Sequence, residues 1–238
     1  MITLYAFGPL LGLPDPSPFV VKVEMLLKMA NLPYKKVVGD LRQSPKSKLP
    51  YIDDNGRLVS DSTLIRLYLA DQHGIDLAKG LTAEQQALAW SVECLCSDHL
   101  YWCVVHERWM DDATFALGPA AFFKKIPALI RPIIVTMIRK KVRRNLEGQG
   151  LGRFTPEERQ RLLMLDVRSL SDLLGDKLFM MGDQPCWLDA TVFAFVSSGL
   201  TSALGKTPTY LALQACPNLV QYAQRIHQQY FDSAQLHA

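Results

Sequence analysis

The chain has 238 residues, 49% hydrophobic and 21% charged, with a formal net charge of +3. That balance excludes a disordered polymer, and so small a charge gives no basis for nucleic-acid binding. The five cysteines, Cys94, Cys96, Cys103, Cys186 and Cys216, make no C-x-x-C pair, so neither a disulfide framework nor a metal site is expected. Reduced thiols in a cytoplasmic protein are the expectation.

No basic-then-apolar leader is read at the start. The most apolar stretch by inspection, residues 126–138, falls well short of the ~20 residues a bilayer span needs and contains Arg131 and Pro132. Residues 2–7 (ITLYAF) read as a strand. A Gly/Pro-rich turn covers 8–16, and Val20, Val23, Met25, Leu26, Leu27 and Met29 follow in a helical pattern. Asn31-Leu32-Pro33 ends that helix, residues 34–38 form a second strand, and 39–49 are polar and irregular. Asn55-Gly56 between short apolar runs predicts a tight antiparallel hairpin. Asp61-Ser62 then opens a helix.

This order, strand-helix-strand followed by strand-strand-helix, requires a parallel crossover and then a hairpin. It matches an α/β thioredoxin-like layout with a four-stranded mixed sheet over residues 1–75. A boundary is expected at 74–81, and residues 82–238 read as an all-α domain. Its first helix is predicted to run unbroken over 83–109. A second stretch, 119–147, is predicted to break near Pro127 and Pro132. Thr155-Pro156-Glu157-Glu158 carries a capping box for a helix reaching about residue 174. Further helices are expected from Cys186, Pro208 and Pro217.

Three short motifs carry chemistry. Ser17-Pro18-Phe19-Val20 sits at the start of the first helix, where free N–H groups and the dipole favour an anion. No cysteine lies there, so the turn cannot run a dithiol cycle. A serine hydroxyl there can donate to a thiolate brought in by a ligand, or simply cap the helix with Pro18 at its first position. Lys48-Leu49-Pro50 precedes a strand. A cis bond at Leu49-Pro50 would leave the Leu49 backbone free for a peptide-like ligand, with Lys48 set for a carboxylate; the plain reading is an edge-strand proline. Asp61 and Ser62 start a helix and can hold an ammonium and a carboxylate, or merely cap it.

Together these motifs resemble the glutathione S-transferase superfamily, with a serine-type turn close to the plant tau class. The resemblance implies that Ser17 activates the glutathione sulfur and that Phe19, in the same turn, belongs to the glutathione site. It implies that Leu49 beside Pro50 binds the cysteinyl backbone, that Lys48 meets the glycine carboxylate, and that Asp61 and Ser62 hold the γ-glutamyl group. Tyr5 is a rival hydroxyl. The stretch GDQPCWLDATV resembles the family's buried capping box, with Cys186 where Ser or Thr is expected and Asp189 matching. The nearest branch is the failed-axon-connections/metaxin-like group, on His99-Leu100-Tyr101-Trp102, Arg108-Trp109 and GQGLGRFTPEER.

A homodimer that conjugates glutathione to small hydrophobic electrophiles is therefore expected. A non-catalytic interaction protein is the main alternative, and glutathione-dependent peroxide reduction a third. Trp102, His106 and Trp109 share a helix face at i, i+4, i+7 and are substrate-pocket candidates, or interdomain core. Arg139 to Arg144 holds five cations in six residues. A solvated helix end is preferred there over peripheral membrane contact.

Overall fold

The computed structural model describes residues 1–232; the last six residues of the expected helical region lie outside them. Strands β1 (Ile2–Ala6), β2 (Tyr34–Val38), β3 (Tyr51–Asp54) and β4 (Arg57–Ser60) form one sheet in the order β2-β1-β3-β4. β1 pairs parallel with β2 and antiparallel with β3, and β3 pairs antiparallel with β4. Helix α1 (Pro18–Met29) makes the crossover, and α2 (Ser62–His73) follows the hairpin. Leu4 and Ile52 face these helices in the main core, beside Val23, Leu26 and Ile65. The layout is thioredoxin-like, as the order of elements predicted.

The helical half comprises α3 (Ala83–Cys94), α4 (Tyr101–Met110), α5 (Asp112–Leu117), α6 (Arg131–Gln149), α7 (Pro156–Leu174), α8 (Trp187–Gly199), α9 (Pro208–Gln214) and α10 (Pro217–His227). The helix predicted over 83–109 is continuous in path but not in type. Residues Leu95–Leu100 widen into a π turn between α3 and α4. In that turn His99 Nδ1 meets Asp166 Oδ2 of α7 at 2.5 Å, a tertiary contact that hydrophobic spacing does not encode. The stretch 119–147 is interrupted around Pro127, as expected, but not at Pro132. A 3-10 turn covers Pro119–Phe123, and Pro132 lies in the first turn of α6, where a missing N–H costs nothing, so it opens the helix instead of breaking it.

Helix α8 is the central element and packs against α1, so it ties the two halves together. The apolar window Trp187–Leu204 has a mean hydropathy of 1.2, and 78% of it is buried. The inspected stretch 126–138 is therefore not the chain's dominant apolar segment. It is largely exposed. All five cysteines are free thiols.

Candidate glutathione site

The strand register brings the three motifs to one end of the sheet. Tyr5 lies opposite Tyr51, and Tyr51 opposite Ser60. The end of β1, the start of β3 and the end of β4 therefore coincide. The loops leaving those positions carry Ser17, Lys48-Leu49-Pro50 and Asp61-Ser62.

Ser17 is the N-cap of α1, with extended backbone (φ −92°, ψ 118°), and its hydroxyl makes no capping bond. The simple capping role is thus not taken up. Pro18 has no N–H, and Val20 N and Val21 N both donate to Ser17 O. The Phe19 N–H has no acceptor in this first turn. The Phe19 ring points away from the sheet, edge-on to Tyr101 (4.8 Å between centroids) and to Phe195 (5.4 Å). Its side chain is interdomain packing.

The Leu49-Pro50 peptide bond is cis. Leu49 precedes β3, and among the described hydrogen bonds its N–H and C=O have no partner. Lys48 is exposed, while its carbonyl accepts the Ser44 hydroxyl at 2.6 Å. Asp61 has a left-handed φ of +90°, costly for a residue with a side chain. Its Oδ1 accepts Thr63 N (2.9 Å) and Leu64 N (3.2 Å), which holds that geometry. The capping role of Asp61 is therefore real. Ser62 is buried, at the first position of α2.

Tyr5 stacks on Tyr51 at 4.2 Å. It alternates with Leu4 and so projects from the sheet face opposite α1. Segment 39–50 covers that face: a Cβ at Gly39 would lie 2.8 Å from Leu49 Cδ2 and 3.0 Å from Tyr5 Cβ. The rival hydroxyl is stacked beneath this cover.

The residue missed by sequence reading is Asp15. Its carboxylate is buried and accepts Phe7 N and Gly8 N on Oδ2 and Ser17 N on Oδ1, each at 2.9 Å. The 8–16 loop is thereby fixed from inside. It is also clamped from outside: Lys36 Nζ donates to Pro14 O (2.9 Å), Arg108 to Pro16 O (3.0 Å) and Thr201 to Leu11 O (2.7 Å). The local signal was present, since Asp between two prolines is turn chemistry; its three amide partners were not visible.

Burial pushes the Asp15 carboxyl up to about 6, against the three N–H bonds and the Lys36 charge. A carboxyl with a raised folded-state pKa contributes stability that is complete below the unfolded value of 3.8 and lost as pH rises through about 6. Asp15→Asn cannot titrate. The wild type is therefore expected to lose about 2 kcal/mol relative to Asp15→Asn between pH 4 and 7. Denaturant titrations at both pH values check this; a pH-independent difference between the two proteins would refute it.

Helix α4 presents a different face from the one expected. Tyr101 and Arg108, seven apart, are the residues that meet the N-terminal half, at Phe19 and at Pro16. Trp109 packs on Phe115 and Phe123, and Trp102 on Tyr101. His106 has its pKa lowered by burial first and by Arg159 second. The Phe122 ring lies 5.5 Å from the Phe7 ring, at the head of the site loop.

A fold with a thioredoxin-like half, a helical half and a cis-proline beside a helix N-terminus defines a class, and the chain belongs to the glutathione S-transferase superfamily. A glutathione S-transferase N-terminal domain model matches residues 18–114, and a glutathione S-transferase C-terminal domain model matches 163–226. The chain is 34% identical to an isoprene-epoxide–glutathione S-transferase of Rhodococcus sp. (strain AD45), over 97% of this chain and 99% of that protein. It is also similar to proteins of the failed-axon-connections and metaxin type. It is 30% identical to Failed axon connections of Drosophila melanogaster, over 97% of this chain and 58% of that protein. It is 27% identical to human Metaxin-2, over 88% and 81% of the two chains. Among solved structures, the β-etherase LigF from Sphingobium sp. strain SYK-6 shares the fold, with a TM-score of 0.69 at 19% identity, covering 98% and 99% of the two chains.

Proposed function

We infer that this protein binds glutathione and conjugates its thiolate to small apolar electrophiles. The observation that carries this reading is the Ser17 hydroxyl at the start of α1, without a hydrogen-bond partner among the described residues, on the same sheet end as the Leu49 backbone and Ser62. In this reading Ser17 Oγ donates to the sulfur, while the Leu49 N–H and C=O pair with the cysteinyl backbone. Lys48 meets the glycine carboxylate. Ser62 takes the γ-glutamyl carboxylate, and the Asp61 oxygen not engaged in capping takes its ammonium. Phe19 contributes its backbone N–H. Phe7 and Phe122 border the electrophile side, with Trp102, His106 and Trp109 of α4 as further candidates for its lining. The relative named for isoprene-epoxide conjugation supports the reaction class. The homodimer and the cytoplasmic location expected from the resemblance belong to the same proposal.

A free thiol with a pKa near 8.5 is only a few per cent ionised at neutral pH. A charge-assisted hydrogen bond contributes about 1.5–3 kcal/mol to the thiolate. Ser17→Ala is accordingly expected to lower kcat/KM for a generic aryl halide by roughly 10- to 100-fold, with retention on immobilised glutathione unchanged. Ser62→Ala is expected to weaken that retention. An unchanged rate in Ser17→Ala would remove the proposed role of the hydroxyl.

One observation favours a second reading, a non-catalytic interaction protein. Asp61 spends one oxygen on its own helix and Lys48 stands free in solvent, so the clamp is looser than its residue types promise. The Failed axon connections and Metaxin-2 likenesses are in keeping with it. Retention on glutathione without turnover would select this reading.

A further inference from the structure

The segment between Ala113 and Leu146 contains eight Lys and Arg and no Asp or Glu. The whole chain nets only +3, so the remainder is net acidic. The same segment exposes six large apolar residues: Leu117, Phe122, Leu129 (89% exposed), Ile130, Ile133 (69%) and Met137 (61%). Single exposed apolar side chains are ordinary, but so many within one short cationic segment are not. Ile133 and Met137 stand four apart on α6, and Lys140, Lys141 and Arg144 continue their face toward the C-terminus. Leu129 and Ile130 lead into the helix, with Lys124 and Lys125 exposed just before them.

Two cations of the segment have structural work. Arg131 bonds the carbonyls of Lys124 and Ile126, which folds the turn that presents Leu129. Arg139 pairs with Asp112 at 2.7 Å and anchors α6 to the end of α4 through Trp109 O. The other six, Lys124, Lys125, Lys140, Lys141, Arg143 and Arg144, are exposed, and among the described residues none of them forms an ion pair.

We propose that this face docks on an anionic lipid bilayer. Exposed aliphatic side chains flanked by uncompensated cations are what the headgroup boundary recognises: the former enter the acyl edge, the latter meet phosphate. A second copy of the chain is the poorer occupant, because a two-fold contact sets the same patch against itself and opposes like charges. The same segment adjoins the site loop at Phe122, whose ring lies 5.5 Å from that of Phe7. A membrane-dissolved apolar electrophile would thus enter beside the loop that ends in Ser17. The docking itself stands whether or not the transferase reading holds.

Vesicle co-sedimentation of the whole protein tests this, with phosphatidylcholine alone and with phosphatidylcholine mixed with phosphatidylglycerol. Binding is expected only to the anionic vesicles and is expected to weaken with salt. Replacing Lys140, Lys141, Arg143 and Arg144 by Gln should lower the partition coefficient by about tenfold or more. Ile133→Asp with Met137→Asp should lower it comparably; these positions are exposed, so the fold is retained. Absence of binding to anionic vesicles, or binding unaffected by both variants, overturns the proposal. So does light scattering that shows the apolar variant converting a dimer to a monomer, since the face would then belong to a second copy.

Discussion

Lys22→Met is expected to lower the unfolding free energy by about 3–5 kcal/mol, which for a chain of this size means a drop in Tm of roughly 6–20 °C. Lys22 is 1% exposed in α1, and its Nζ lies 2.8 Å from Glu93 Oε1 in α3 and 3.1 Å from Thr63 Oγ1 in α2. The Thr63 hydroxyl donates to the same Glu93 oxygen. Burial lowers the Lys22 pKa and Glu93 opposes that shift. Glu93 Oε2 has no hydrogen-bond partner among the described residues and lies 4.0 Å from Arg66 Nε, and the Arg66 guanidinium lies over the Trp187 ring at 4.1 Å. The pair thus joins the thioredoxin-like half to the helical half. Its removal on one side leaves a carboxylate stranded in the interface.

The cost of Lys22→Met lies in that stranded charge more than in the lost attraction. Lys22→Met combined with Glu93→Leu is therefore expected to recover most of the loss. Chemical denaturation of the two variants measures both quantities. A loss below 1 kcal/mol in the single variant, or a double variant no better than the single, would show that the pair does not couple the halves.

Asp189→Ala is expected to cost a similar amount, about 3–5 kcal/mol, by a different route. Asp189 is 0% exposed at the start of α8. Its Oδ1 accepts Met180 N (2.8 Å) and the Tyr222 hydroxyl (2.9 Å), and its Oδ2 accepts Cys186 N (2.8 Å). Alanine would orphan two buried backbone donors, each costing about 1–3 kcal/mol when unmet, and leave the Tyr222 hydroxyl only the carbonyl of residue 189, at 3.3 Å. Cys186 stands where Ser or Thr is expected and both reciprocal bonds of the capping box are still present, while the Asp189 carboxylate also reaches across to α10 and to the preceding turn. Cys186→Ser is accordingly expected to change stability by less than about 1 kcal/mol. A small effect at Asp189, or a large one at Cys186, would transfer the capping role to the thiol.

Local chemistry made much of this protein readable from its residues in order. Asn55-Gly56 dictated the hairpin because both turn positions take positive φ, at 53° and 93°. Thr155-Pro156-Glu157-Glu158 built its capping box with both reciprocal bonds. The order of strands, helix and turn called for a parallel crossover and then a hairpin, and the sheet built on them places Ser17, Leu49 and Ser62 at one end. All these signals act over a few residues or follow from chain connectivity.

What the sequence could not show depends on partners far along the chain. Asp15 was an unremarkable turn residue until its carboxylate was seen to gather the amides of Phe7, Gly8 and Ser17. Thr201 clamps Leu11 across 190 residues, and Lys22 finds Glu93 across 71. The choice of Tyr101 and Arg108 over Trp102, His106 and Trp109 as the residues facing the N-terminal half turns on the rotation of α4. Hydrophobic periodicity gives a helix its stripe but not its neighbour. Composition set the class, and short-range pattern set the elements and the end of the sheet that carries the site. Only packing decided which charges are buried together and which face of each helix is left to solvent, because desolvation and close contact are properties of the assembled interior.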